Sequence, residues 1–211
     1  MQDQIETQET TSPEVLENTI PHQPLPKKKD KGGFFETVKF ILIVLAIGLP
    51  IRMYIAQPFI VSGQSMFPTF HNGEYLIVDE ISYRFKEPER GDVVVFRYPN
   101  DPSKFFIKRI VGLPGEEVSI KGKEITILNE EHPEGFILPE PYTENKQSGV
   151  VESALENDEY FVMGDNRTAS SDSRSWGPLQ EDFLVGRAWV RLFPVDRIDF
   201  LPGKESSEVK V

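Results

Sequence analysis

Residues 90 to 115 read RGDVVVFRYPNDPSKFFIKRIVGLPG. Two runs of β-branched and aromatic residues stand out, Asp92 to Tyr98 (DVVVFRY) and Phe105 to Leu113 (FFIKRIVGL). Turn chemistry brackets them: Glu-Arg-Gly before Asp92, Pro-Asn-Asp-Pro after Tyr98 and Leu-Pro-Gly from Leu113. The same signature recurs at Tyr75–Ile81, Val118–Leu128, Tyr160–Met163 and Leu184–Phe193. Short strands at such spacing indicate a mainly β domain, an antiparallel barrel or sandwich, over residues 59–203. Residues 129–158, with their prolines and many acids, read as an irregular surface excursion, and 204–211 as a frayed polar tail.

The pattern changes toward the N-terminus. Residues 1–26 carry Asp3, Glu6, Glu9, Glu14 and Glu17, no Lys or Arg, and four prolines. From Lys27 the sign reverses through Lys28, Lys29 and Lys31, so 1–33 reads as a disordered leader, acidic and then basic. Phe40 to Ile51 (FILIVLAIGLPI) follows without a charge, and the apolar span over 34–58 reaches about 20 residues, enough for one transmembrane helix. Lysines on its N-terminal side predict a cytoplasmic leader at the plasma (cytoplasmic) membrane and an extracytoplasmic β domain. A cleaved signal peptide fits poorly, since its basic region would begin the chain.

Composition removes several chemistries. The 211 residues include no cysteine, which excludes a thiol nucleophile, a disulfide framework and thiolate zinc sites. An excess of 34 acids over 23 Lys and Arg, a net charge of −11, argues against nucleic acid as a partner. The only histidines, His22, His71 and His132, offer little for a metal or a Ser/His/Asp triad, and no metal or other cofactor is expected. Hydrolase elbow, zincin and P-loop patterns are missing.

Three segments remain: Ser62-Gly-Gln-Ser-Met-Phe-Pro-Thr69, Lys108-Arg-Ile-Val-Gly-Leu-Pro-Gly115 and Gly164-Asp-Asn-Arg-Thr-Ala-Ser-Ser-Asp-Ser-Arg174. Taken singly they read as a turn, a strand with one inward lysine and a salt-bridged loop. Together, in this order behind an apolar anchor, they resemble the type I signal peptidases, membrane-anchored serine endopeptidases that remove signal peptides from exported pre-proteins. The resemblance covers the anchor and segments 59–70, 90–115 and 160–178, and implies the β-rich catalytic fold of that family.

Carried over by position, the resemblance makes Ser65 the nucleophile and Lys108 the general base. Burial suits that role, because a lysine near its ordinary pKa of about 10.4 is protonated and cannot accept a proton. Ser170 matches a serine that orients the lysine amine. The backbone N–H of Ser65 would donate into the oxyanion hole, while Gly63 stands where some members add a serine hydroxyl. Asp165, Arg109, Asp172 and Arg174 match a salt-bridged scaffold. Phe59, Val61, Met66 and Ile107 match positions lining shallow apolar pockets for small side chains, as an Ala-x-Ala cleavage pattern requires. The implied partners are signal-peptide-bearing pre-proteins and the lipid bilayer. A peptidase specialised for one substrate and an inactive peptide-binding relative are the competing readings; a Ser/Lys self-cleaving repressor would need a basic helix-turn-helix domain, which the acidic leader does not supply.

Overall fold

The computed structural model describes residues 33–54, 56–145 and 149–204. The leader expected over 1–32 and the tail over 205–211 lie outside the described residues. Helix α1, Gly33–Tyr54, runs for 22 residues and begins two residues after the lysine cluster. It ends earlier than the expected boundary at 58. Pro58 cannot donate an amide to a continuing helix, and Ala56–Ile60 instead forms strand β1, paired antiparallel with β2 (Tyr75–Asp79). Among the described residues no helix is long and apolar enough to cross a membrane; on α1 the described side chains reach Gly48.

Ten further strands follow: β3 (Val93–Tyr98), β4 (Asp101–Gly112), β5 (Glu117–Gly122), β6 (Glu124–Leu128), β7 (Phe136–Ile137), β8 (Gly149–Ala154), β9 (Glu159–Met163), β10 (Leu179–Gln180), β11 (Leu184–Phe193) and β12 (Asp199–Phe200). The larger sheet runs β1-β2-β11-β3-β4-β9-β10, with β12 beside β11. A second sheet runs β7-β6-β5-β8. All the pairings are antiparallel. Among the described residues β1 and β10 end the first series without pairing, so of the expected barrel or sandwich the antiparallel sheets are seen and a closed barrel is not.

The core explains this two-sheet arrangement. Val111, Phe161 and Met163 of the larger sheet pack with Val118, Ile120, Ile125 and Ile127 of the smaller one, and all are almost fully buried. Gly112 lies at this junction, where a Cβ would come within 2.5 Å of Val118 Cγ2 and 2.8 Å of Leu155 Cδ1. A second cluster, Val94, Phe96, Ile110, Tyr160, Val162 and Leu179, fills the opposite face of the larger sheet.

Two expectations are corrected here. The run 118–128 is two strands, because Gly122 takes φ +67° and turns the chain back on itself between Lys121 and Glu124. The stretch 129–158 is no surface excursion. It contributes β7 and β8 to the second sheet and buries Leu138, Glu140 and Leu155.

Candidate active site

Strand β4 places Lys108 opposite Val94 and Arg109 opposite Val93. Successive side chains of a strand leave by opposite faces, so these neighbouring cations enter different surroundings. Lys108 is 4 % exposed, and its Nζ donates to Ser65 Oγ at 2.9 Å and to the Ile107 carbonyl at 2.8 Å. Burial pushes the Lys108 pKa down to about 8, although the carboxylates of Asp172 and Asp165 oppose the shift. At pH 7 about one Lys108 in ten is then neutral.

Ser65 sits in the connection between β1 and β2. Val61 N–H donates to the Glu74 carbonyl at 2.9 Å and Gly73 N–H to the Val61 carbonyl at 2.8 Å, closing the base of this loop. Gly63 takes φ +92°, a conformation that costs glycine little, and its N–H donates to Asn72 Oδ1 at 2.9 Å. Val61 and Met66 drop into a cluster with Phe70, Leu76, Val93 and Ala188, against which Ile107 packs. Of the four expected pocket residues, Val61 and Met66 are therefore buried core. Phe59 and Ile107 keep exposed surface, and Phe59 lies against Phe105 with ring centroids 5.3 Å apart.

The third segment arrives through β9. Met163 pairs with Arg109, so the chain that follows starts beside the guanidinium. Arg109 and Asp165 are both fully buried and meet through two bonds, Nε to Oδ1 at 2.8 Å and Nη2 to Oδ2 at 2.6 Å. Arg109 Nη1 also donates to the carbonyls of Gly91, at 2.9 Å, and Gly203. Thr69 Oγ1 donates to Asp165 Oδ2 at 2.5 Å, which ties the Ser65 loop to the same carboxylate.

Asp172 caps the short helix α2, Ser173–Trp176, accepting from Arg174 N–H at 3.3 Å. It also accepts from Gly164 N–H at 3.0 Å and from Arg174 Nε at 2.8 Å. The four expected scaffold residues thus stand as two carboxylate–guanidinium pairs, Arg109 with Asp165 and Arg174 with Asp172. Among the described residues Ser170 Oγ is buried without a hydrogen-bond partner. It lies 2.3 Å from the point a Cβ on Gly164 would occupy, and the Ser65 carbonyl lies 2.5 Å from that same point.

Several residues of the site escaped sequence reasoning. Asn166 N–H donates to the Ser65 carbonyl at 3.0 Å and its side-chain amide to the Gln64 carbonyl at 3.2 Å, so Asn166 holds the backbone of the Ser65 loop at two points. At 9 % exposure the amide is committed inward. Arg167, 3 % exposed, donates to the Gly164 carbonyl at 2.9 Å and pairs with Glu140. Gly164 needs its missing side chain for want of space, which no local pattern announces. His71 contacts Glu74 and Arg197, not Ser65. Among the described residues no group of three or more His, Asp or Glu could hold a metal ion.

A serine hydroxyl beside a buried, partly neutral lysine can support nucleophilic acyl transfer, and comparison with known proteins agrees with that chemistry. Residues 34–193 match the family described as signal peptidase, peptidase S26. A probable signal peptidase I-2 of Synechocystis is 40 % identical over 83 % of this chain and 82 % of its own. Signal peptidase I of Leptolyngbya laminosa is 35 % identical, covering 85 % of this chain and 90 % of its own. Signal peptidase I of Bacillus amyloliquefaciens is also 35 % identical, with 85 % and 96 % covered. With a match over most of its length and relatives at this identity, the chain belongs to the signal peptidase family S26, whose members are serine endopeptidases.

Proposed function

We propose that Ser65 and Lys108 form the dyad through which this signal peptidase cuts exported pre-proteins, after small residues in an Ala-x-Ala pattern. The observation that carries the reading is the 2.9 Å contact between Lys108 Nζ and Ser65 Oγ, with the lysine pKa lowered by burial to about 8. A neutral amine takes the Ser65 proton as Oγ attacks the scissile carbonyl. Collapse of the tetrahedral intermediate transfers that proton from the Lys108 ammonium to the leaving amine, leaving an acyl-enzyme. Water, deprotonated by the same amine, then attacks the ester and frees Ser65.

The intermediate's oxyanion takes the backbone N–H of Ser65 as its donor. Gly63 brings no hydroxyl, and its own N–H is engaged by Asn72, so a second donor comes from elsewhere. Ser170 orients the Lys108 amine; its enclosed hydroxyl beside Gly164 is a group without another task. Asp165, Arg109, Asp172 and Arg174 hold the dyad's backing and stay out of the chemistry. The substrate lies extended beside β1, the terminal strand of the larger sheet, with its small side chains toward Phe59 and Ile107 and with Val61 and Met66 beneath.

Helix α1 is the anchor in this reading. Over its full 22 residues it rises about 33 Å at 1.5 Å per residue, close to a bilayer's hydrocarbon thickness, whereas its described apolar stretch alone is too short to cross. Phe40, Leu42, Val44 and Ile47 are all exposed, as suits a helix that faces lipid all round. The leader is cytoplasmic and the β domain extracytoplasmic.

Incubation of the full chain in detergent with a pre-protein, followed by sequencing of the product's new N-terminus, tests the reading. A cut after an Ala-x-Ala site that disappears in Ser65→Ala supports it; an undiminished cut in Ser65→Ala removes the dyad. Because the chain has no cysteine, single cysteines placed in the leader and the domain report topology by labelling from outside. Labelling of the leader alone would reverse the orientation.

A further inference from the structure

Behind the dyad, a strap from the second sheet reaches both of the buried arginines that back the site. Residues 138–143 leave β7, and Leu138 N–H donates to the Ile125 carbonyl at 2.8 Å while its side chain enters the core between the sheets. That fixes the strap's base. Two residues on, Glu140 is 7 % exposed and its Oε1 accepts from Arg167 Nη2. Two residues further, the Tyr142 ring lies over the Arg109 guanidinium, 3.9 Å from carbon to ring centroid.

Each arginine passes the contact forward. Arg167 Nε holds the Gly164 carbonyl at 2.9 Å, and Gly164 is packed against the Ser65 carbonyl and the Ser170 hydroxyl. Arg109 holds Asp165, which in turn accepts from Thr69 in the Ser65 loop. A buried guanidinium needs a compensating charge, and deleting one partner of such a pair drives the other toward water. Asp165 compensates Arg109 from within the catalytic loop itself. For Arg167 the carboxylate comes from the strap, so the seating of Gly164 behind Ser65 depends on a residue of the other sheet.

We propose that Glu140 and Tyr142 are positioning residues of the peptidase, clamping Arg167 and Arg109 so that 164–166 stays pressed against Ser65. This rests on the dyad reading. Glu140 and Tyr142 act through Arg167 and Arg109, while the substrate in that reading lies along β1, so the clamp acts on turnover more than on substrate binding. Displacements of about 1 Å in a reacting constellation cost on the order of 10²-fold in rate. The ring of Tyr142, not its hydroxyl, makes the contact with Arg109.

Steady-state kinetics of the full chain in detergent on a pre-protein, with unfolding curves for each variant, tests the clamp. Glu140→Gln is expected to lower kcat by about 10- to 100-fold with KM within about twofold of the parent. Tyr142→Phe should keep kcat near the parent value, whereas Tyr142→Ala should lower it. If Glu140→Gln does not fold, the double variant Glu140→Gln with Arg167→Met removes both charges, and the same fall in kcat is expected there. Parental kcat in folded Glu140→Gln or in the double variant, a rise in KM that accounts for the loss, or Tyr142→Phe as impaired as Tyr142→Ala would each overturn the proposal. Ser65→Ala assayed alongside separates the two readings: if it still cleaves, the dyad fails, whatever the strap variants do.

Discussion

Lys108 and Arg109 are adjacent cations on one strand, both buried, and their surroundings could hardly differ more. On the Arg109 face the contacts include a two-bonded carboxylate, two carbonyls, a hydroxyl and an aromatic ring, groups that hold a charge in place. On the Lys108 face the ammonium, with three donors, has among the described residues one carbonyl, one hydroxyl and the Phe106 ring 5.2 Å away, and the carboxylates of Asp172 and Asp165 act on it without a hydrogen bond. The permanent charge is over-satisfied and the titratable one is left short. Stability and reactivity are thereby divided between two faces one residue apart.

That division can be broken most decisively at the dyad. Ser65→Ala and Lys108→Ala should each lower kcat/KM by about 10⁴-fold or more, while cooperative unfolding of the β domain persists. A folded variant with substantial cleavage would erase the functional side of the contrast. On the opposite face, Asp165→Ala leaves Arg109 buried and uncompensated, and should destabilise the domain by about 3–5 kcal/mol, read from the denaturant midpoint. A near-neutral result there would mean that the guanidinium is not as enclosed as its surroundings imply.

A third variant sharpens the comparison by stabilising. The folded-state pKa of Lys108, about 8, lies below its ordinary 10.5. Below pH 8 the lysine is charged in both states and the folded protein bears the cost of burying that charge; between pH 8 and 10.5 the unfolded state binds more protons and the cost disappears. Lys108→Met should therefore be more stable than the parent at pH 6.5, by up to about 3 kcal/mol at 1.36 kcal/mol per pKa unit, and the gain should vanish above pH 10.5. Equal stability at pH 6.5 would show that the ammonium is adequately solvated. The smallest effect is the parent's own pH profile. With chemistry rate-limiting, kcat/KM should rise about tenfold per pH unit below pH 8 and level off above it; a flat profile from pH 6 to 9 would exclude Lys108 as the titrating base.

β2, β3, β4, β9 and β11 of the larger sheet were legible because their runs are rich in β-branched and aromatic residues and lie between turn residues. β8 was not, since Gly149–Ala154 carries only two valines and its strand character comes from pairing with β5. β1 was hidden by continuity of apolar residues with α1. The site shows a similar split. Ser65 and Lys108 were expected from the family resemblance, as was the salt-bridged scaffold of Asp165, Arg109, Asp172 and Arg174, whose residues meet as two carboxylate–guanidinium pairs. Glu140 and Tyr142 looked like ordinary acidic-loop residues; their burial is set by where the second sheet docks, and no local pattern encodes that. Gly164 is dictated by space between Ser65 and Ser170, a distance of about 100 residues along the chain.

Arg109 also introduces an order in time. Its Nη1 holds the Gly203 carbonyl, and Gly203 itself is so close to Thr69 that a Cβ would approach Thr69 Cγ2 to 2.5 Å. In a chain emerging from its N-terminus, the segments bearing Ser65, Lys108 and Asp165 are all made before residue 203. Until that residue arrives, the guanidinium lacks one of its acceptors and the Thr69 side of the loop lacks its cover. The packing around Arg109 and Thr69 is thereby completed only after the segments bearing Ser65, Lys108 and Asp165 have been made.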